Sequence, residues 1–213
     1  MNLSAYIVQR PTRRKAIAWI AAGSGGLSLS IQAQPTATPA TMPATKVELP
    51  AELNAYGTGW RASGSGSLRF FGFKAYDATL WLTAGQPSYA PSRTFALDIR
   101  YNTFVKATDI VNTSLIEMSR LAGASPEQIK AWNGFMTQLF VDVQSGDRLV
   151  GVRVANKGAR FFLNAKLLGE TDDESFTDSF FRIWLDPKTR RPELRAALLG
   201  IPATDSTNVT RQP

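Results

Sequence analysis

The 213-residue chain contains no histidine and no cysteine. Those two absences exclude Ser-His-Asp and Cys-His nucleophilic systems, thiolate chemistry, haem ligation by His or Cys and the usual zinc sites. Disulfides are ruled out, so the fold rests on its apolar core. A serine hydrolase would need lysine as base, and no Ser-x-x-Lys spacing occurs. Nor is there a Gly-x-Ser-x-Gly elbow, a phosphate-cradling Gly-x-x-x-x-Gly-Lys-Ser/Thr loop or a Gly-x-Gly-x-x-Gly fingerprint. No cofactor or metal is implied.

Charge is less one-sided than it first looks. Lys and Arg number 24 against 17 Asp and Glu. Residues 1–33 hold four of the basic residues and no acidic one, so the remainder carries 20 against 17. No dense basic stripe remains. The late run Lys188-Thr189-Arg190-Arg191 reads as a solvated turn, and nucleic-acid binding is not expected.

The first 33 residues read as an export signal. Arg10, Arg13, Arg14 and Lys15 form a basic start, residues 16–30 a modest apolar run, and Ala33 a small residue for cleavage. The run is too short and too rich in Gly and Ser for a good membrane span, so no stable span is expected after cleavage. Thr12-Arg13-Arg14 leaves the Sec and twin-arginine routes both open, and either makes the protein periplasmic or otherwise exported. Residues 34–45 form a Pro/Thr/Ala linker, 46–200 a domain of about 155 residues with room for a core, and 201–213 a polar tail.

Within the domain, strands are expected over 46–50, 66–70, 73–83 and 95–101, the last with Phe95, Leu97, Ile99 and Tyr101 on one face. Two helices follow. Thr108 or Asp109 should cap the first, with Val111, Leu115, Met118 and Ala122 along one side. Ser125-Pro126 with Gln128 opens the second as a capping box, its stripe being Ile129, Trp132, Met136 and Leu139. Extended runs over 148–155 and 160–164, a helix opened by Asp172-Asp173, and a last helix from Pro192 to the C′ residue Gly200 complete the domain. The class is α+β, with helices packed on a mostly antiparallel sheet.

Polar groups able to do chemistry are few. Arg69 and Tyr76 stand among Leu68, Phe70, Phe71 and Phe73, around a tight turn at Phe71-Gly72. A guanidinium and a phenol in an apolar setting suit a carboxylate or enolate oxygen, since both donate hydrogen bonds where water is scarce. Lys74 reads as a strand-face charge. Gly64 and Gly66 read as a flexible lead-in. Trp81, Trp132 and Trp184 read first as core, though bulky aromatics also line apolar clefts. Asp172, Asp173 and Glu174 read as helix-capping acids.

The order of Gly66-x-x-Arg69, Lys74-x-Tyr76-x-Ala78-x-Leu80-Trp81, Ala96-Leu97-x-Ile99-x-Tyr101, Gly146-Asp147-x-Leu149 and Phe180-x-x-Ile183-Trp184-Leu185 with Leu194-Arg195-x-x-Leu198-Leu199-Gly200 resembles the chalcone isomerase-like superfamily, in its bacterial exported branch. The resemblance covers about residues 60 to 200. It implies an open-faced β-sandwich, a large antiparallel sheet covered by a layer of helices with a ligand cleft between. That superfamily holds enzymes that close chalcones to flavanones, non-catalytic relatives and plastid fatty-acid binders. Arg69 matches an arginine shared by enzymes and fatty-acid binders. Tyr76 falls where the enzymes carry threonine and the binders a tyrosine. The helix at 125–139 lacks the enzymes' Tyr; Asn133 is one position out of register, and Trp132 is nearest the slot. The enzymes' late hydroxyl falls near Arg182-Ile183.

The reading preferred is therefore a non-catalytic binder of a fatty acid or similar amphipathic carboxylate, with Arg69, Tyr76, Tyr101 and Trp132 as ligand-contact candidates. The alternatives are an isomerase of intramolecular-lyase type using Arg69 and Tyr76, and an accessory protein with no small ligand.

Overall fold

A computed structural model describes residues 47–70 and 72–202, with the backbone alone at Phe70. The expected export signal, the linker at 34–45 and residues 203–213 of the tail lie outside the described residues. Six strands form one sheet in the order β1-β2-β3-β4-β5-β6, every neighbouring pair antiparallel. They are β1 (Arg61–Phe70), β2 (Phe73–Leu82), β3 (Phe95–Tyr101), β4 (Arg148–Arg153), β5 (Ala159–Leu163) and β6 (Lys166–Thr171). The helices are α1 (Ala107–Ala122) and α2 (Pro126–Leu139) between β3 and β4, then α3 (Glu174–Leu185) and α4 (Pro192–Leu198). This is the expected α+β open-faced sandwich.

Strand alternation divides the side chains between two faces. Leu80, Leu82, Phe95, Leu97, Ile99, Leu149 and Phe161 meet the helices in the main core, with Phe176, Phe180 and Phe181 of α3 and Met136 and Leu139 of α2. Burying each such side chain stabilises by about 1.5–3 kcal/mol before entropy is counted. The opposite face is partly covered. There Trp81, Ala96, Val150, Val152 and Phe162 form a second cluster around Leu53, which is fully buried.

Several local expectations are corrected. Residues 47–50 are not a strand; they lead into a 3-10 turn at Ala51–Ala55 that drops Leu53 onto the sheet's outer face. Pro50, with φ −58°, has no N–H to give a ladder. β1 starts at Arg61 rather than residue 66. Helix α1 is not capped by Thr108 or Asp109. It begins at Ala107, whose N–H donates to Asp142 Oδ1 at 2.8 Å, and the Val105–Val143 bridge holds the two segments together. The capping box at Ser125 and Gln128 forms as read. β6 was unexpected because Lys-Leu-Leu-Gly-Glu-Thr does not alternate. It forms because Asn164 and Ala165 both take positive φ, +50° and +67°, the hairpin geometry usually given to Asn-Gly.

Gly64 and Gly66 are a seat rather than a flexible lead-in. A Cβ on Gly64 would lie 2.0 Å from the Ala197 carbonyl oxygen, and one on Gly66 would meet Leu194 and Ala197 below 3.0 Å. Their bare backbone lets α4 lie directly on β1.

Candidate functional site

Tyr76 on β2 and Tyr101 on β3 are paired residues of adjacent strands. Both point toward the helices, and their rings meet edge to face with centroids 5.9 Å apart. The Trp184 indole of α3 reaches the first of them, its Nε1–H donating to the Tyr76 hydroxyl at 2.9 Å. That bond uses the phenol oxygen as acceptor. Among the described residues neither phenol donates its own proton to a protein acceptor, so both donors remain available to an incoming oxygen. Phe180 packs against Trp184 at 5.4 Å and leads into the aromatic layer of Phe140, Phe161 and Phe176.

Burial pushes the Tyr76 hydroxyl up to about 12 from its ordinary 10, against the opposing pull of the Trp184 hydrogen bond and the Arg191 charge. Burial likewise raises Tyr101, and the neighbouring Tyr76 adds to it. Both phenols are therefore neutral donors over the whole physiological range. Arg191, just ahead of α4, brings positive charge to this corner. It can do so because the glycine seat on β1 draws α4 down against the sheet.

The four residues expected from sequence separate. Tyr76 and Tyr101 come together. Arg69 does not join them: Leu68 pairs with Tyr76 and packs on the main core, and alternation turns Arg69 to the other face. There it is exposed, with Nη1 3.4 Å from the Gly72 carbonyl oxygen. Lys74 and Asp77 lie on that outer face too, paired at 2.7 Å. Burial works against the Asp77 carboxylate, but hydrogen bonds from Lys74, Ser67 and Asn102 together hold it below the usual range. Trp132 is buried on α2, its Nε1–H donating to Asp173 Oδ2 at 3.2 Å at the start of α3. Asp173 and Trp184 are eleven residues apart along α3, about 16 Å of helix rise, so Trp132 stands at the far end of the aromatic layer. Arg191 and Trp184 were not singled out as site residues in the sequence. Nothing in a turn-like basic run or in one more helix tryptophan distinguishes them until α4 and α3 are packed.

The layer between sheet and helices is closed. Under Phe180 and Phe181 a hollow of about 10 Å³ remains, lined by Leu97, Ile99, Leu149, Gly151 and Phe161, scarcely room for one water. A larger depression of about 300 Å³ lies on the outer face, walled by Glu48, Glu52, Arg100 and Arg148. Its mixed charge and lack of aromatic wall do not suit an apolar tail. The described residues hold no cluster of acidic side chains able to bind a metal, and no helix among them is long and apolar enough to cross a membrane.

A family model for chalcone isomerase-like proteins matches residues 41–200. The chain belongs to that family. Among curated proteins nothing matches. Among solved structures, this chalcone isomerase-like chain is similar to a fatty-acid binding protein of Arabidopsis thaliana, with a TM-score of 0.51 and 9% identity over 68% of this chain and 89% of that one. At that identity the likeness is one of fold.

Proposed function

We propose that the chain is an exported, non-catalytic binder of a fatty acid or similar amphipathic carboxylate. The observation that carries the reading is the pair of donor phenols, Tyr101 buried and Tyr76 half-buried, beside a phenylalanine layer. Two neutral O–H groups and the nearby Arg191 charge suit a carboxylate head. The aromatic layer suits its tail, and burying about ten methylenes at ~0.8 kcal/mol each supplies the drive before ordering costs. The tail must part α3 from the sheet, since the layer is closed in the free chain. The fold shared with a fatty-acid binding protein supports the reading, and the basic-then-apolar residues 1–33 support export.

The isomerase alternative fits the site less well. A general acid works best with its pKa near the operating pH, and Tyr76 sits near 12. Arg69 on the outer face offers nothing to an enolate beside Tyr76. The closed layer favours one second reading, a ligand-free interaction protein. Titration with a fluorescent long-chain carboxylate, followed by competition with oleate and with oleyl alcohol, separates the two. The binder predicts saturable one-to-one binding, with oleate competing at least tenfold better than the alcohol because a hydrogen bond to a charged group contributes about 1.5–3 kcal/mol. Absence of saturable binding would leave the interaction role.

A further inference from the structure

The strand register gathers three connections, β1–β2, β3–β4 and β5–β6, at one end of the sheet. Phe70 pairs with Phe73, Tyr76 with Tyr101, Arg100 with Arg148, and Leu163 with Lys166, all at this end. Of the seven large apolar side chains exposed among the described residues, four stand here: Phe73 at 80%, Leu167 at 48%, Val141 at 46% and Phe104 at 44%. Phe73 follows the β1–β2 turn at Gly72, whose φ of +83° suits a residue without Cβ. Phe104 and Val141 stand beside the Val105–Val143 bridge, and Leu167 follows the β5–β6 turn.

Each apolar group has a cation close in sequence or register. Arg69, Arg100, Lys106 and Lys166 are exposed, and none forms an ion pair among the described residues. Three carboxylates at this end, each still open to solvent in part or in full, are engaged in hydrogen bonds. Asp77 takes Lys74, Ser67 and Asn102; Asp142 takes the Ala107 N–H; Asp147 takes Asn164 and the Gln144 N–H. Glu48 and Glu52 flank Arg148. Apolar side chains at turn tips with unpaired long cations beside them suit one kind of surface. The rings enter the acyl boundary while the cations reach back to anionic headgroups.

We propose that this end of the sheet docks on an anionic lipid bilayer, with Phe73, Phe104, Val141 and Leu167 inserted and the four cations at the headgroups. The Tyr76–Tyr101 pair lies at the same end, so a carboxylate leaving the bilayer would meet it without crossing bulk water. The docking stands on the exposed rim alone, whether or not the phenol pair takes a ligand.

Because the chain has no cysteine, a single introduced one reports on one place. Residues 1–33 may be left in place in the full chain, since an environment-sensitive fluorophore reads local insertion. Phe73→Cys is labelled, and Ser92→Cys on the β2–β3 loop at the other end serves as control. Each is titrated with phosphatidylcholine vesicles containing phosphatidylglycerol and no free fatty acid. The expected result is a blue shift at position 73 and none at 92. The half-saturating lipid concentration should rise on the order of a hundredfold on pure phosphatidylcholine, from four surface cations. Adding Phe104→Asp and Leu167→Asp to Phe73→Cys should weaken insertion about tenfold or more. Equal emission at 73 and 92, or an equal response on neutral vesicles, overturns the proposal. Neither result bears on oleate binding, so failure of docking and failure of the ligand reading are seen separately.

Discussion

The two ends of the sheet are built on opposite principles. At the end where β3 begins, a charge clamp fastens α3. Arg153 of β4 is buried, its Nη2 bonds Glu174 Oε2 at 2.7 Å, and its Nη1 bonds Asp178. Glu174 also takes the Gly158 N–H at 2.8 Å. At the end where β3 finishes, the side-chain bond from α3 to the sheet is a neutral one, Trp184 to Tyr76, beside two phenols with protons to spare, while Thr189 and Arg195 tie the last turn of α3 to the segment that follows it. One end is fixed by groups that leave water only in pairs; the other keeps donors that can change partner. A helix joined to the sheet by charge at its start and by an exchangeable neutral bond near its finish suits the tail entry proposed above.

That contrast can be broken most severely at the clamp. Glu174→Gln with Asp178→Asn leaves Arg153 buried without a counter-charge. The expected loss is about 3–5 kcal/mol in denaturant unfolding, because an unpaired buried charge costs far more than the pair contributes. A loss under 1 kcal/mol would mean that the clamp does not fasten α3.

Next in size is the glycine seat that brings Arg191 beside the phenols. Gly64→Ala drives a methyl into the Ala197 carbonyl and should cost at least the 1–3 kcal/mol typical of overpacking. Calorimetry should also show the variant binding oleate more weakly, since α4 is displaced from β1.

Alkaline pH sharpens the contrast from the phenol side. An unfolded tyrosine ionises near 10, whereas folded Tyr76 holds its proton to about 12. The folded state thus binds more protons in that interval, and stability should be full below pH 10 and fall as pH rises toward 12. Tyr76→Phe and Tyr101→Phe together should flatten this fall. The smallest effect belongs to Tyr76→Phe at neutral pH. It removes the acceptor for Trp184, costing about 1 kcal/mol in stability, and shifts tryptophan emission.

How much of this was legible in the sequence depended on whether the signal was local. The Ser125–Gln128 box, the alternation of β3 and the Pro192 start needed only neighbouring residues, and each took its expected form. Arg69 and Tyr76 looked adjacent because seven residues of hairpin separate them, but their faces depend on the pairing of Tyr76 with Leu68 rather than with Arg69. Tyr101 met Tyr76 because β2 and β3 pair in that register. Arg191 and the role of Gly64 depend on where a C-terminal helix lands on an N-terminal strand, and no window of sequence contains both.

The central claim is that Tyr76 and Tyr101 receive a carboxylate head. Its most direct test is native mass spectrometry of the protein purified from a bacterial host, with denaturing extraction of whatever it carries, beside the Tyr76→Phe/Tyr101→Phe variant. The account predicts a single acyl carboxylate on the native chain, lost from a folded double variant. An empty native chain, or a double variant carrying the same acid in the same amount, would contradict it.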